Sequence, residues 1–240
     1  SWSRRHLMKT KLALFFIFLV NIFFVSNVFA ADDVATPSTY KVTMKKIELC
    51  TSNACSSPTV LAEKDGTFDI ASVTAGADVG SWISSFALEV GKTYTHIRAT
   101  ISTTMTIAGY TTNSDISSDY CVTESSPNTA SAADQGAIVD GSSATTNADM
   151  SYIIPNQANG DNGDPYGDVD YDSSDITRAN DAATFTWMGA LTSSYTATPT
   201  SAPQITISFD VTNQLKSTQQ AADACYMWVE APTVSVSLTD

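Results

Sequence analysis

Hydrophobic and polar residues alternate along several stretches of this chain, and the longest of these runs from position 97 to 107. Its apolar positions are Ile97, Ala99, Ile101, Met105 and Ile107. A period of two places these side chains on one face of a strand and leaves the other face to solvent. The alternation recurs at 205–211 and 234–238, with no helical periodicity between these strands. The pattern predicts an all-β chain folded as an antiparallel β-sandwich.

Two stretches predict local irregularities in this sandwich. The apolar phase of Tyr40–Cys50 changes at Lys45 and Lys46, which predicts a β-bulge or a strand that passes from one sheet to another. The sequence Lys-Asp-Gly at 64–66 lies between two short apolar runs and predicts a tight turn between two strands.

Helical periodicity is weak throughout the chain. The segment Asn213–Ala224 is dense in Gln and Ala but polar nearly all round, so it predicts a short surface helix. Positions 81–83, Ser-Trp-Ile, predict a loop or a single helical turn laid over the core.

The composition changes between about 113 and 203. Small polar residues dominate this interval, and apolar islands occur at 152–154 and 185–188. We interpret it as a long, loop-rich insertion in the sandwich that touches the core at those islands. It is the predicted location of any specific binding surface.

The first thirty residues predict a secretory signal peptide. A basic start with Arg4, Arg5, Lys9 and Lys11 precedes an apolar run that ends before small residues at Val28 and Ala30. We expect Met8 to be the initiator, cleavage after Ala30, and a single β-sandwich domain over 31–240. The pair Arg4-Arg5 leaves the twin-arginine export route as an alternative. The apolar run of about fourteen residues is short of the roughly twenty that a membrane-spanning helix needs.

Charge narrows the range of partners. The leader contains four of the twelve basic residues and none of the 25 acidic ones, so the mature chain carries 8 basic and 25 acidic residues, a net charge of −17. Such a chain repels nucleic acids and anionic membranes, which we exclude as partners. We expect a secreted protein, extracellular, on the cell surface or periplasmic, that associates with itself or with surface glycans or proteins. No membrane span is expected in the mature chain.

Four cysteines in an oxidising destination predict two disulfides. Cys50 and Cys55 flank a short polar turn, which suits a local loop, and this leaves Cys121 to pair with Cys225. Three pairings are open on paper. A zinc site is the alternative, but the spacing is not Cys-x-x-Cys and the mature chain has one histidine.

An acidic run between 161 and 175 is the strongest candidate ligand site. Its carboxylates are Asp161, Asp164, Asp168, Asp170, Asp172 and Asp175. Closely spaced carboxylates supply the hard oxygen ligands that Ca²⁺ requires, so calcium is the one cofactor that the sequence predicts. The spacing is not that of an EF-hand, and a solvated acidic loop is the alternative.

The residues that could support catalysis or sugar stacking have structural alternatives. The one mature histidine, His96, falls on the solvent face of a strand, no nucleophile-elbow motif is present, and the five glutamates show no paired spacing. We therefore predict no catalytic residues and no enzyme activity. Five aromatic residues form either a sugar-stacking platform or parts of the core: Trp82, Trp187, Trp228, Tyr110 and Tyr195.

Residues 40–102 resemble the bacterial domain-of-unknown-function family 4382 and its transthyretin-like secreted β-sandwich relatives. The matching residues are Tyr40-Lys41-Val42, Ile47-Glu48-Leu49, Phe68-Asp69-Ile70 and Leu88-x-x-Gly91-x-Thr93-Tyr94-Thr95-x-Ile97-Arg98. The resemblance implies that Gly91 makes the turn into a central strand and that Tyr94 packs at its start. It also implies an exported protein with no assigned reaction. This chain departs from the family in its four cysteines and its long insertion.

Three functions compete at this level. The first is a non-catalytic extracellular or cell-surface protein, adhesin-like or fibre-forming, that assembles by β-strand addition through Tyr40–Leu49 or Thr233–Leu238. The second is a secreted module that binds carbohydrate or calcium through the insertion. The third is a small glycan hydrolase.

Overall fold

The computed structural model describes residues 33–84, 86–112, 120–126, 137–140, 143–154, 175–179, 182–221 and 224–240. Their strands are β1 (Asp33–Ala35), β2 (Thr39–Cys50), β3 (Thr59–Asp69), β4 (Thr93–Ser102), β5 (Thr104–Ala108), β6 (Tyr110–Thr112), β7 (Tyr120–Val122), β8 (Ala137–Asp140), β9 (Met150–Ile153), β10 (Ile176–Thr177), β11 (Thr184–Thr196), β12 (Gln204–Asp210), β13 (Leu215–Ala221), β14 (Ala224–Val229) and β15 (Thr233–Thr239). The same residues contain one α-helix, α1 (Ala75–Ile83), and one 3₁₀ turn (Ala144–Thr146). The predicted leader lies outside them.

The largest sheet has seven strands, and the long alternating pattern forms its middle. Its order is β10-β11-β4-β2-β5-β9, and β3 pairs with the other edge of β2. All of these pairs are antiparallel. The predicted all-β, antiparallel fold class is therefore confirmed.

The long alternating strand is interrupted at Thr103. Residues on either side belong to β4 and β5, which pair with different parts of β2. Thr103 keeps the phase of the alternation and is buried, and its backbone N–H and hydroxyl both donate to Ala183 O. The apolar face therefore continues from β4 into β5, so the periodicity is preserved although the strand is not.

The bulge predicted in β2 is present. The register of β2 against both β3 and β4 shifts between Met44 and Lys46. This shift returns the apolar phase to the core side, because Met44 and Ile47 are both buried.

The tight turn predicted at 64–66 is wrong. These residues lie inside β3, which pairs with β2 from Asp69 back to Thr59. The bulge accommodates the Asp-Gly pair, and Asp65 forms an ion pair with Lys45 across the two strands (2.6 Å). Pairing with the long strand β2 has overridden a local turn signal.

A second sheet has the order β1-β13-β14-β8, and β6 pairs with β7 beside it. A disulfide between Cys121 in β7 and Cys225 in β14 joins these two sheets. A hydrogen bond of 2.6 Å between the buried hydroxyls of Thr111 in β6 and Ser217 in β13 joins them again. Residues of both sheets share one hydrophobic core.

The surface helix predicted at Asn213–Ala224 is wrong, because most of this segment is β13. Asn213 has a left-handed φ of 59° and turns the chain into the strand. Leu215 and Ser217 then point into the core. A small polar residue at an inward position hid the period of two from the sequence pattern.

The helix expected near 81–83 is longer than a single turn, since α1 has nine residues. Ala75, Val79 and Ile83 form its buried face. It contacts β3 and β12, and β12 pairs with β15 over seven residues.

Within the interval predicted as an insertion, 113–203, the residues that the structure describes contribute five strands to the sheets, β7 to β11. The island at 152–154 falls in and just after β9, and the island at 185–188 falls within β11, which runs beside β4. The core therefore extends further into this interval than its composition indicates.

A glycine turn and a buried tyrosine mark the start of β4. Gly91 has a left-handed φ of 84° in the turn before the strand, and Tyr94 is fully buried. The Tyr94 hydroxyl also contacts the hydroxyl of Thr59 (3.0 Å).

Candidate functional site

The groups with catalytic potential have structural partners. His96 lies on the outer face of β4, where its Nδ1 is 2.8 Å from the hydroxyl of Thr95. The carboxylate of Glu48 is buried and accepts Arg98 Nε at 2.8 Å and Lys46 Nζ at 3.0 Å. Burial alone would raise the pKa of Glu48, but the hydrogen bonds from Arg98 and Lys46 outweigh it and hold the pKa below the ordinary value. A carboxylate held ionised in this way is a structural anion rather than a general acid.

The disulfides follow the predicted pairing. Cys50 is bonded to Cys55, and Cys121 is bonded to Cys225. The first closes a loop at the end of β2, and the second closes a loop of 104 residues between the two sheets. No cysteine of the described residues is free.

Most of the candidate calcium ligands fall outside the described residues: Asp161, Asp164, Asp168, Asp170 and Asp172. Asp175 is described. It is exposed, has a left-handed φ of 55°, and its carbonyl accepts the N–H of Met188 (2.9 Å). Within the described part of the chain, no three His, Cys, Asp or Glu side chains are grouped so that they could hold a metal ion.

A buried arginine anchors the chain on either side of this acidic run. Arg178 donates to the carbonyl of Ile154, at the end of β9, and to the carbonyl of Ala182, just before β11 (3.2 Å). Its guanidinium therefore ties together the segments that precede and follow the run. Sequence reasoning missed this residue, although an isolated arginine in an acidic stretch was the available signal.

The five aromatic candidates do not form one platform. Trp82 packs edge-on against Phe68, and Trp228 stacks obliquely on Tyr226. Tyr195 is buried and donates to Asp240 Oδ1 (2.5 Å), and this burial and hydrogen bond raise its pKa. Trp187 is half-buried against the core.

Tyr110 is the exception among them. It is 42 % exposed, and no other aromatic side chain of the described residues is an exposed large hydrophobic group.

The strand proposed as a donor at Tyr40–Leu49 is unsuitable. This segment lies in β2, which is paired on one edge with β3 and on the other with β4 and β5. Releasing it would dismantle the central sheet. The other proposed donor, Thr233–Leu238, pairs with β12 throughout and buries Val236 and Leu238.

Helix α1 covers the free edge of β12. A Cβ atom on Gly76 would lie 1.9 Å from Ile207 O, and one on Gly80 would lie 3.8 Å from Ile205 O. Carbonyl oxygens point sideways in a sheet, so a helix backbone this close takes the place of a neighbouring strand. Covering an edge in this way protects it from pairing with another chain.

The outer edge of β3 is protected by charge. β3 pairs with β2 alone among the described strands. Its middle carries Glu63, Lys64 and Asp65 in succession, at the bulge. Charged residues and a bulge both disfavour the addition of a further strand.

The edge strand β1 is shorter than β3 and β12 and carries one charged residue, Asp33, at its start. It pairs with β13 through three residues, Asp33 to Ala35, and Val34 is 44 % exposed. The following Thr36 accepts the N–H of Asn213 through its hydroxyl (3.2 Å), and Pro37 is buried. We call residues 33–35 the N-terminal arm. Its sequence is too short for a periodic pattern, so it was not predicted.

A cleft of about 300 Å³ adjoins the N-terminal arm. It lies between the end of β1, the start of β6 and the turn before β9. Its lining residues are Ala35, Thr36, Ser38, Gly109, Tyr110 and Asn147. None of them is charged.

Comparison with protein families, with curated protein sequences and with solved structures found no match for this chain. Among the described residues, no helix has both the length and the apolar character needed to cross a membrane.

Proposed function

We propose that this protein is a non-catalytic, exported structural subunit, adhesin-like or fibre-forming, whose copies associate on the cell surface or outside the cell by exchanging the N-terminal arm. The observation that carries this proposal is the short pairing of β1 at the edge of its sheet. The arm pairs with β13 through three residues, and its outward side chain, Val34, is 44 % exposed.

Exchange at this strand involves little net change in hydrogen-bond free energy. An intramolecular hydrogen bond contributes a net of about 0.5–1.5 kcal/mol, so a three-residue ladder is released at a cost of a few kcal/mol. The same ladder forms again when the arm pairs with β13 of a second copy, which restores that free energy. The free energy of exchange then depends on the conformational entropy of the linker and on the entropy lost when two copies associate.

The linker suits an extended arm. Pro37 has a fixed φ, and a residue before proline, here Thr36, favours extended backbone. An arm held extended reaches a neighbouring copy with less loss of conformational entropy than a freely coiling one.

The acceptor would be the edge of β13 that β1 leaves. Its exposed backbone groups require a partner strand, and an arm from another copy restores the pairing. The helix over β12 and the charges of β3 make these two edges poorer acceptors for a further strand. Each copy then donates one arm and accepts one, an arrangement that closes into a ring or continues as a filament.

Export is supported by the disulfides and by the predicted leader. Two disulfides persist in an oxidising compartment and are rare in the cytosol. The predicted cleavage after Ala30 would place the arm within three residues of the mature N-terminus.

The test compares the mature chain 31–240 with a chain that lacks residues 31–35, by light scattering after size exclusion and by negative-stain electron microscopy. Arm exchange predicts oligomers or filaments that disappear with the deletion. Val34→Ala should weaken assembly. Its matched control is Val60→Ala, because both valines are 44 % exposed and both lie in edge strands. Loss of assembly in Val60→Ala as well would indicate general apolar association. A strictly monomeric mature chain, or assembly unchanged by the deletion, would contradict the proposal.

A further inference from the structure

The cleft beside Tyr110 combines one exposed aromatic ring with several neutral polar groups. Tyr110 packs edge-on against Tyr120, with ring centroids 5.7 Å apart and an interplanar angle of 76°. This contact orients the Tyr110 ring while leaving it 42 % exposed. An oriented, half-exposed aromatic ring is a surface on which the apolar face of a ligand can stack.

The polar side chains of the cleft keep hydrogen-bonding capacity after their internal bonds are made. Asn147 donates one amide hydrogen to Ala144 O (3.0 Å), which leaves a second hydrogen and the amide oxygen. The hydroxyl of Ser38 donates to Ala108 O (3.1 Å) and keeps its lone pairs. The hydroxyl of Thr36 accepts from Asn213 N and keeps its hydrogen. The cleft therefore offers both donors and acceptors.

The charge and size of the cleft restrict the ligand further. None of the six lining residues is charged, and the mature chain has a net charge of −17, so an anion is disfavoured and no carboxylate lines the cleft to bind a cation. A volume of about 300 Å³ lies at the lower end of the range for small-molecule sites. The fitting ligand is small and neutral, with hydroxyl groups around a ring that has an apolar face.

We infer that this cleft binds one neutral pyranose unit of a glycan, with its apolar face on Tyr110 and its hydroxyls on Asn147, Ser38 and Thr36. The cleft includes Ala35 of the N-terminal arm and Thr36 beside it, so the inference concerns the arm as it lies in this structure, paired with β13 of its own copy. It assigns to this cleft a binding role distinct from assembly.

The experiment is saturation-transfer NMR on the mature chain with glucose, galactose, mannose and N-acetylglucosamine as separate probes, and glucuronate as the charged comparison. The expected result is transfer to the ring protons of at least one neutral sugar, with a dissociation constant in the millimolar range. Tyr110→Ala should weaken binding at least tenfold, whereas Tyr110→Phe should retain it within about twofold. Val90→Ala, an exposed site that does not line the cleft, is the control and should change nothing.

Thermal unfolding of each variant separates loss of binding from loss of fold. If Tyr110→Ala does not fold, Asn147→Ala replaces it, with the same expected loss. The inference is overturned if no neutral sugar shows saturation transfer, if both cleft variants bind as the native chain does, or if glucuronate binds more tightly than every neutral sugar.

Discussion

Gly76 of α1 lies directly against the carbonyl oxygen of Ile207 in β12, so close that a Cβ on Gly76 would fall 1.9 Å from that oxygen. The Gly76→Ala substitution must push the helix away from the strand. We expect it to lower the free energy of unfolding by about 1–3 kcal/mol, as overpacking does, and to promote aggregation through the uncovered edge. Urea unfolding and light scattering measure the two effects.

Gly80 in the same helix is the matched control. Its nearest neighbour would be 3.8 Å from a new Cβ, an ordinary contact distance. Gly80→Ala should therefore keep the fold and gain up to about 1 kcal/mol from helix propensity. Equal destabilisation by both substitutions would contradict a specific contact at Gly76.

The buried pair Glu48–Arg98 should make stability depend on pH. The pKa of Glu48 is lowered in the folded protein from its ordinary value of 4.5, so its contribution is present above that value and is lost as the pH falls through the folded pKa. Glu48→Gln should flatten the decline of the melting temperature below about pH 4.5.

Glu63→Gln is the control for this pH dependence, because Glu63 is 67 % exposed and lies 4.0 Å from Lys46. At neutral pH, Glu48→Gln should cost about 2–3 kcal/mol, as loss of a charged hydrogen bond does, and Glu63→Gln should cost little. If the melting temperature of Glu48→Gln falls at low pH as steeply as that of the native chain, the pH dependence comes from other carboxylates.

The two disulfides should differ in their contribution to stability. In the chain-entropy account, closing a loop of 104 residues contributes about 4.7 kcal/mol, whereas closing the Cys50–Cys55 loop contributes about 2 kcal/mol. We expect the double substitution of Cys121 and Cys225 by Ala to lower the unfolding free energy more than the corresponding change at Cys50 and Cys55. Chemical denaturation measures both, and the reverse order would contradict the entropic account.

The hydroxyls of Thr111 and Ser217 form a buried hydrogen bond that a double-mutant cycle can measure. Ser217→Ala leaves the Thr111 hydroxyl without this bond in the core, which should cost about 1–3 kcal/mol. Adding Thr111→Val removes the unpaired group, so the double variant should regain much of that loss. Simple additivity of the two substitutions would show that the hydroxyls are not coupled.

The sequence predicted features of the fold that depend on one strand and its burial. The alternation around Ile97 identified the middle of the main sheet, and the phase change at Lys45 identified the bulge. Both signals come from the positions of the apolar residues, and these positions are determined by which side chains face the core.

The features that the sequence did not predict depend on contacts between distant segments. The Asp-Gly pair at 65–66 is typical of a turn, and only its pairing with β2 makes it part of a strand. Ser217 is typical of a polar surface, and only its contact with Thr111 explains its burial. The N-terminal arm and the cleft depend in the same way on β13 and β6. The sequence of the arm does not indicate that it pairs with β13, and the sequences around the cleft do not indicate that they meet at β6.

Arm exchange is tested most directly by mixing two variants that each carry one added cysteine, Val34→Cys and Lys216→Cys, whose positions are opposite each other in the β1–β13 ladder. Directly paired positions have Cβ atoms about 4.5–5.5 Å apart, near enough for a disulfide after a small adjustment. Exchange between copies predicts a covalent heterodimer under mild oxidation, well above the background from Val90→Cys mixed with Lys216→Cys. If the two mixtures give the same background while a chain carrying both Val34→Cys and Lys216→Cys cross-links only within itself, the arm stays on its own copy and assembly by strand exchange is contradicted.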